Sequence, residues 1–204
     1  MIREFLHGLE QGTEEWLVCR LGRVTASEFG TVLAKGKGSG ESKTRRTYML
    51  KLIGERLTGE IAESYANGHM ERGKAMEAEA RSMYEMMMGV DVQQVGFVTL
   101  GSEIGCSPDG LLGTGVLEIK TKLPHLHLDV LIKGEMPAEH IAQVQGQLWV
   151  CDLEWVDFVS YWPKLPIFTK RIYRDEEYIK NLSEEVDKFL DELHGIMVKI
   201  KKAA

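Results

Sequence analysis

Residues 105–122 read GCSPDGLLGTGVLEIKTK, and the placement of three charged side chains in this stretch decides the fold. Short β-prone runs punctuated by Gly and Pro read as strands joined by a tight turn. On a strand, side chains i and i+2 share a face, so Glu118 and Lys120 project together while Ile119 packs into the core from the other side. A hairpin turned by Gly113 and Gly115 brings Asp109 alongside Glu118. Two carboxylates converging with a lysine suit a hard divalent cation. Mg²⁺ takes oxygens from one or two carboxylates, keeps several waters, and leaves the rest of its shell to phosphate oxygens. The lysine then stabilises charge developing on a phosphorane or helps to deprotonate an attacking water.

Outward from this centre the pattern alternates. Thr25 and Glu28 have capping-box spacing, which predicts a helix from near Ala26 to about Ala34. Two more helices are predicted over Thr44–Leu57 and Asn67–Met88, the latter ended by Gly89. VDVQQVGFVTL (90–100) leads into the strand meander. A helix around Pro137–Cys151 follows, then strands in EWVDFVSYW (154–162) and PIFTKRIY (166–173). Tyr178, Leu182, Val186, Phe189, Leu193, Ile196 and Ile200 step by three or four residues, so Glu176 to about Lys201 forms an amphipathic helix with its acidic side outward. This order predicts one α/β domain over residues 1–204, with a mixed central sheet flanked by helices.

A second group stands upstream of the first predicted helix. Arg20, Thr25 and Ser27 combine a guanidinium fork with two hydroxyls at a helix N-terminus, where backbone N–H groups also point; such groups converge on a phosphate. Taken by itself the group is better read as plain helix capping by Thr25.

The net charge of −6 argues against a uniformly basic footprint, but the charge is unevenly spread. Lys35, Lys37, Lys43, Arg45, Arg46 and Lys51 face only Glu41 in their segment, and Lys35 and Lys37 sit in the glycine-rich stretch KGKGSGES (35–42). Asp175–Glu192 carries eight acids and two lysines, so a polyanion is expected to meet the first segment and avoid the second. No apolar run reaches the ~18 residues of a membrane span, and the start lacks a signal-peptide pattern, so a cytoplasmic protein is expected. Cys19, Cys106 and Cys151 are expected as free thiols, without metal or disulfide spacing. His125 and His127 are read as surface or packing residues. The four tryptophans are read as core, and Met86, Met87 and Met88 as packed at a helix end. Met70 lies two helical turns before Glu77 on the same predicted helix.

The segments WLVCRLGRVTAS (16–27), RGKAMEAEAR (72–81), GCSPDGLLG (105–113), LEIKTK (117–122) and AQVQGQLWV (142–150) together resemble the phage λ exonuclease/YqaJ family of recombination nucleases. That family lies within the PD-(D/E)XK, restriction-endonuclease-like superfamily. The resemblance implies that Asp109, Glu118 and the Ile119 carbonyl bind metal, that Lys120 assists the nucleophilic water, and that Glu77 completes a two-Mg²⁺ site in which Mn²⁺ can substitute. It implies that Gln143 orients the water or the scissile phosphate, and that Arg20, Thr25 and Ser27 hold a terminal 5′-phosphate. Lys35, Lys37 and Met70 are the expected DNA contacts. The implied activity is 5′ to 3′ degradation of one strand of linear duplex DNA, releasing mononucleotides and a 3′ overhang. A homotrimeric ring and a single-strand annealing protein as partner are implied with it. A structure- or sequence-specific endonuclease of the same superfamily shares the metal centre, and a catalytically idle end-binding scaffold is the other alternative.

Overall fold

The hairpin expected from residues 105–122 forms, and it divides the charged residues as its alternation requires. In the computed structural model, which describes residues 1–36, 42–61 and 68–203 without the side chains of 68–72 and 74, β5 (Gly110–Leu112) pairs antiparallel with β6 (Gly115–Lys120). Gly113 takes φ +62° at the first position of the two-residue turn, a conformation that glycine supplies without strain. Gly115 plays another part. It opens β6, where an added Cβ would fall 2.4 Å from the Trp155 ring. The Asp109 N–H donates to the Leu117 carbonyl at 3.1 Å, which extends the ladder and sets Asp109 beside Glu118.

The remaining elements, in chain order, are β1 (Arg3–Leu6), α1 (Glu14–Arg20), β2 (Val24–Thr25), a 3₁₀ turn (Ala26–Glu28), α2 (Phe29–Val32), α3 (Lys43–Thr58), α4 (Gly68–Met88), β3 (Phe97–Leu100) and β4 (Ile104–Cys106) before the hairpin. After it come α5 (Pro124–Lys133), a second 3₁₀ turn (Ala138–His140), α6 (Ile141–Cys151), β7 (Trp155–Ser160), β8 (Phe168–Tyr173) and α7 (Glu176–Ala203). The mixed pairing is distributed over two four-stranded sheets, β1-β3-β4-β2 and β5-β6-β7-β8. β2 runs parallel to β4 and β6 parallel to β7; the other pairs are antiparallel.

One core joins both sheets, with Val98, Ile104, Val116 and Phe158 meeting Leu148 of α6 and Leu182, Val186, Phe189 and Leu193 of α7. Each such side chain contributes roughly 1.5 to 3 kcal/mol by leaving water. On the opposite face of β6, Leu117 and Ile119 pack with Ala80 and Tyr84 of α4 and with Val159 and Tyr161. Tyr84 donates to the buried Asp157 at 2.6 Å, and Arg171 clamps the same carboxylate through two 2.8 Å bonds. This network fixes α4 against the strands, and with it the turn that carries Glu77.

Several sequence expectations are corrected. Thr25 makes no side-chain cap, because its hydroxyl lies 3.2 Å from Ser27 Oγ and 3.5 Å from Arg20. Met86, Met87 and Met88 do not pack; they are exposed, Met86 by 80%, since the α4 stripe that meets the sheet consists of Met76, Ala80 and Tyr84. Trp16, Trp155 and Trp162 are half-buried rather than in the core, Trp16 at a cleft, and Trp149 alone of the four is buried. The basic segment and the acidic helix meet each other: Arg45 pairs with Glu192 at 2.7 Å and Arg46 lies 3.9 Å from the same carboxylate. Part of the charge expected to face a polyanion is therefore neutralised within the fold. Cys106 and Cys151, distant in sequence, bring their sulfurs within 3.5 Å and are both free, as is Cys19.

Four elements among the described residues had no counterpart in the sequence reading: β1, α1, β2 and α5. For α5 a local signal existed, Pro124 in the first turn and Gly134 at φ +63° just past the end, the ordinary start and stop of a helix.

Candidate active site

Strand alternation and one helix face build an acidic centre. Glu118 points away from the α4 side of the sheet toward α6 and is 2% exposed. Its Oε1 accepts from Gln143 Nε2 and from Lys120 Nζ, each at 2.6 Å. Its Oε2 accepts from Gln147 Nε2 at 2.6 Å. Gln143 and Gln147 stand four residues apart on α6, so both amides lie over Glu118. Asp109 is anchored by the Ile119 N–H, which donates to Oδ2 at 2.6 Å. Glu77 arrives from α4, paired with Arg81 at 2.7 Å; Arg81 also donates to the Asp109 carbonyl at 3.1 Å.

The electrostatics are those of carboxylates crowded together. Burial pushes the Asp109 carboxyl well above the ordinary range, and repulsion from Glu118 and Glu77 adds to it. Burial also raises Glu77, against the pull of Arg81 and with repulsion from Glu118. Lys120 loses hydration on burial, yet Glu118 and Asp109 hold its ammonium above the usual lysine range. Such a cluster is relieved by positive charge, and its donor set of carboxylate oxygens plus the Ile119 carbonyl fits a hard divalent cation. Among the described residues no three His, Cys, Asp or Glu side chains form a preformed cage. A cation that keeps water and takes substrate oxygens does not need one.

A cleft of about 340 Å³ is lined by Trp16, Arg20, Thr25, Tyr48, Lys51 and Glu55 among others, and two of these, Trp16 and Arg20, reach Ser107, two residues before Asp109. The Arg20 guanidinium stacks 4.4 Å over the Trp16 ring and donates to Ser107 Oγ at 3.2 Å. Trp16 Nε1 donates to the same oxygen at 2.9 Å. A hydroxyl has two acceptor lone pairs and one proton; with both lone pairs engaged, the Ser107 proton is left to donate. Arg20 makes no ion pair among the described residues, and burial lowers its pKa from the ordinary value. The cleft thus holds a partly desolvated guanidinium whose nearest partners are hydroxyls and an aromatic ring, with Glu28 and Glu55 also on the lining.

Of the residues singled out from sequence, Asp109, Glu118, Ile119, Lys120, Gln143 and Glu77 come together, and Arg20, Thr25 and Ser27 form the neighbouring group. Lys35 is exposed at the end of the first helical segment. Lys37 and the Met70 side chain lie outside the described residues. His127 is buried and held between Ser160 Oγ at 2.8 Å and the Pro166 carbonyl at 2.9 Å, a packing residue, while His125 is exposed. The sequence reading missed Ser107, Gln147, Arg81 and His140. Gln147 and Arg81 each stand four residues from a residue already singled out, which is the one signal that points to them. His140 precedes Gln143 by one turn, stacks 5.4 Å from Phe158, and is pushed down to about 4 by burial and the nearby Lys122 and Lys120.

Residues 15–154 match the model of the YqaJ-like viral recombinase domain. The chain belongs to this family. It is similar in structure to an alkaline exonuclease from Laribacter hongkongensis, with 37% identity over 94% of this chain and 97% of that one and a TM-score of 0.84. The same enzyme in complex with dAMP superposes with a TM-score of 0.85 at 38% identity and the same coverage. A phage-related exonuclease from Haemophilus somnus 129PT shares the fold at 18% identity, covering 86% of this chain and 96% of that one, with a TM-score of 0.63. No curated protein matches significantly. The YqaJ-family chain thus has the PD-(D/E)XK-like nuclease fold, and among its described residues no helix is long and apolar enough to cross a membrane.

Proposed function

We propose that this protein is a Mg²⁺-dependent 5′ to 3′ exonuclease that degrades one strand of linear duplex DNA from a 5′-phosphorylated end during recombination, releasing mononucleotides and leaving a 3′ overhang. The observation that carries this reading is the loop Ser107–Pro108–Asp109, which joins the Arg20 cleft to a carboxylate centre across two residues. A phosphate held by Arg20, Ser107, Thr25 and Ser27 places the next phosphodiester of the strand over Asp109 and Glu118. The similarity to an alkaline exonuclease over 94% of the chain supports the same chemistry.

Asp109, Glu118 and the Ile119 carbonyl would hold one Mg²⁺ and Glu77 would contribute to a second, with Mn²⁺ able to replace them; the bound ions would neutralise phosphate charge and lower the pKa of a water. Lys120 Nζ, now on Glu118 Oε1, is placed to hold a proton or to stabilise charge on the phosphorus oxygens. Gln143, which donates to the same oxygen, orients the water or the phosphate. Hydrolysis that leaves the phosphate on the new 5′ end regenerates the group that the Arg20 cleft accepts.

A homotrimeric ring would explain how a chain of net charge −6 stays on DNA, because enclosure replaces part of a uniform electrostatic grip. Such a ring needs a heterologous interface that closes, and a single-strand annealing protein would take up the exposed 3′ strand. The deciding experiment is time-resolved digestion of end-labelled linear duplex, with and without 5′-phosphate, beside a covalently closed circle. Mononucleotide release from phosphorylated linear ends alone is expected; cutting of the circle identifies an endonuclease, and no release with Mg²⁺ identifies an end-binding scaffold. Light scattering is expected to give three times 23.0 kDa.

A further inference from the structure

A second group of donors lies beside the acidic centre, and the protein's own carboxylate sits on it. Lys122, half-buried and two residues past the end of β6, donates to Glu139 Oε1 at 2.7 Å. His140 Nε2 lies 3.3 Å from the same oxygen. That contact is not a hydrogen bond: Nε2 is buried without a hydrogen-bond partner among the described residues. The His140 ring is stacked 5.4 Å from Phe158, a fit that phenylalanine would make without burying an idle polar atom. Packing therefore does not account for an imidazole here. Nor does the fold need the ion pair, since Glu139 is 66% exposed and a pair open to water contributes little. The bond to Lys122 and its charge nevertheless hold the Glu139 carboxyl below the ordinary range, and Lys120 adds to the effect. A negatively charged oxygen is thus favoured at this place.

The sheet says which anion belongs there. In the strand order β5-β6-β7, Glu118 stands on the middle strand. Asp109 joins it from the β5 side, two residues after the Ser107 that Arg20 reaches. On the β7 side stands Phe158, the register partner of Glu118, with His140 stacked on its ring. Lys120, whose Nζ is on Glu118, is near enough to His140 for its charge to disfavour the imidazolium. We propose that Lys122 and His140 form a subsite for the phosphodiester immediately 3′ to the bond that is cut, and that Glu139 fills it until DNA enters. The inference rests on the reading of the Arg20 cleft as the holder of the terminal 5′-phosphate and of the Asp109 and Glu118 centre as the place of cleavage. A strand gripped on both sides of the scissile bond lies extended over the carboxylates. Lys122 supplies charge to the phosphate. The neutral imidazole has one N–H, and a phosphate oxygen beside Nε2 favours the tautomer that carries it there. The exposed Glu139 side chain turns away into water.

The test is single-turnover release of the first mononucleotide from a 5′-phosphorylated duplex with MgCl₂, read as rate against protein concentration for wild type, Lys122→Gln, His140→Phe and Glu139→Gln. A second duplex carries an uncharged methylphosphonate at the second internucleotide linkage of the digested strand. Circular dichroism melts establish that each variant is folded. On the all-phosphate duplex, Lys122→Gln is expected to raise the half-saturating protein concentration roughly tenfold and His140→Phe roughly threefold to tenfold, the range for losing one hydrogen bond to a charged group. Glu139→Gln breaks the same ion pair, yet it is expected to lower that concentration roughly twofold to fivefold by leaving Lys122 free. On the methylphosphonate duplex, wild type is expected to bind as weakly as Lys122→Gln, and the three substitutions to change little. Equal losses on both duplexes, or a loss for Glu139→Gln, mean that the pair only supports the fold; they overturn the subsite and leave the nuclease reading intact. Absence of release by wild type overturns that reading, and the subsite with it.

Discussion

The acidic centre and the Arg20 cleft are neighbours in one chain segment, Ser107 in the second and Asp109 in the first, yet they solve opposite electrostatic problems. The acidic centre crowds three carboxylates around one lysine, and burial with mutual repulsion drives Asp109 and Glu77 toward the protonated form. In the cleft, a guanidinium disfavoured by burial has hydroxyls and an aromatic face for partners. The first is relieved by positive charge and the second by negative charge, and under the proposed function these would be the metal ions and the terminal phosphate. The contrast teaches that two opposite electrostatic demands can be met within one short stretch of chain.

Substitutions on the two sides are expected to behave differently. The largest effect is expected at Lys120. Lys120→Ala should lower hydrolysis of linear duplex by about 10²- to 10³-fold or more, the range for losing a group aimed at transition-state charge. Gel-shift affinity for duplex ends should persist; near-wild-type turnover would remove Lys120 from the chemistry.

Next comes Arg20→Ala, which deletes a charge-assisted contact of about 1.5 to 3 kcal/mol, roughly a ten- to hundredfold loss. The loss should appear on 5′-phosphorylated ends and be much smaller on 5′-hydroxyl ends. Steady-state digestion of both substrates by both proteins closes a thermodynamic cycle. Equal losses would mean that Arg20 meets an internal phosphate or only supports the fold.

A smaller effect is expected for Trp16→Phe, which keeps a ring under Arg20 but removes the indole donor to Ser107. Once that bond of about 1 kcal/mol is gone, one lone pair of Ser107 is free and its proton is no longer committed to the cleft. Preference for phosphorylated over hydroxyl ends should fall about threefold to tenfold, with activity on hydroxyl ends nearly unchanged. A loss of the same size on both substrates would assign Trp16 to packing.

The smallest effect concerns stability beside the acidic centre. His140, ordinarily near 6.5, is depressed to about 4, first by burial and then by Lys122 and Lys120. Below pH 6.5 the unfolded chain takes up a proton that the folded state refuses. Stability from this group is therefore complete above 6.5 and is lost as pH falls toward 4. His140→Phe, which keeps a ring against Phe158, should flatten that part of the melting-temperature profile between pH 7 and 4. Parallel profiles for the two proteins would show that His140 is not held neutral.

The hairpin residues were legible because strand alternation is strict: once 115–120 is a strand, Glu118 and Lys120 share a face and Ile119 the other. The same logic made α7 readable, since its stripe of Leu182, Val186, Phe189 and Leu193 repeats at helical spacing. Arg20, Thr25 and Ser27 were legible as a group because they are close in sequence. What local pattern could not convey is which distant segments meet. Gln147 on Glu118 spans 29 residues, Trp16 on Ser107 spans 91, and Arg45 on Glu192 spans 147; no periodicity links such pairs. The sequence by itself therefore determined the alternation of strand and helix and the identity of the charged groups. Only the tertiary structure decided which donors each oxygen of Glu118 accepts from, which hydroxyl Arg20 holds, and how much of the basic segment α7 neutralises. Those outcomes depend on packing between elements, where a side chain's partner is set by the whole fold and not by its neighbours in the chain.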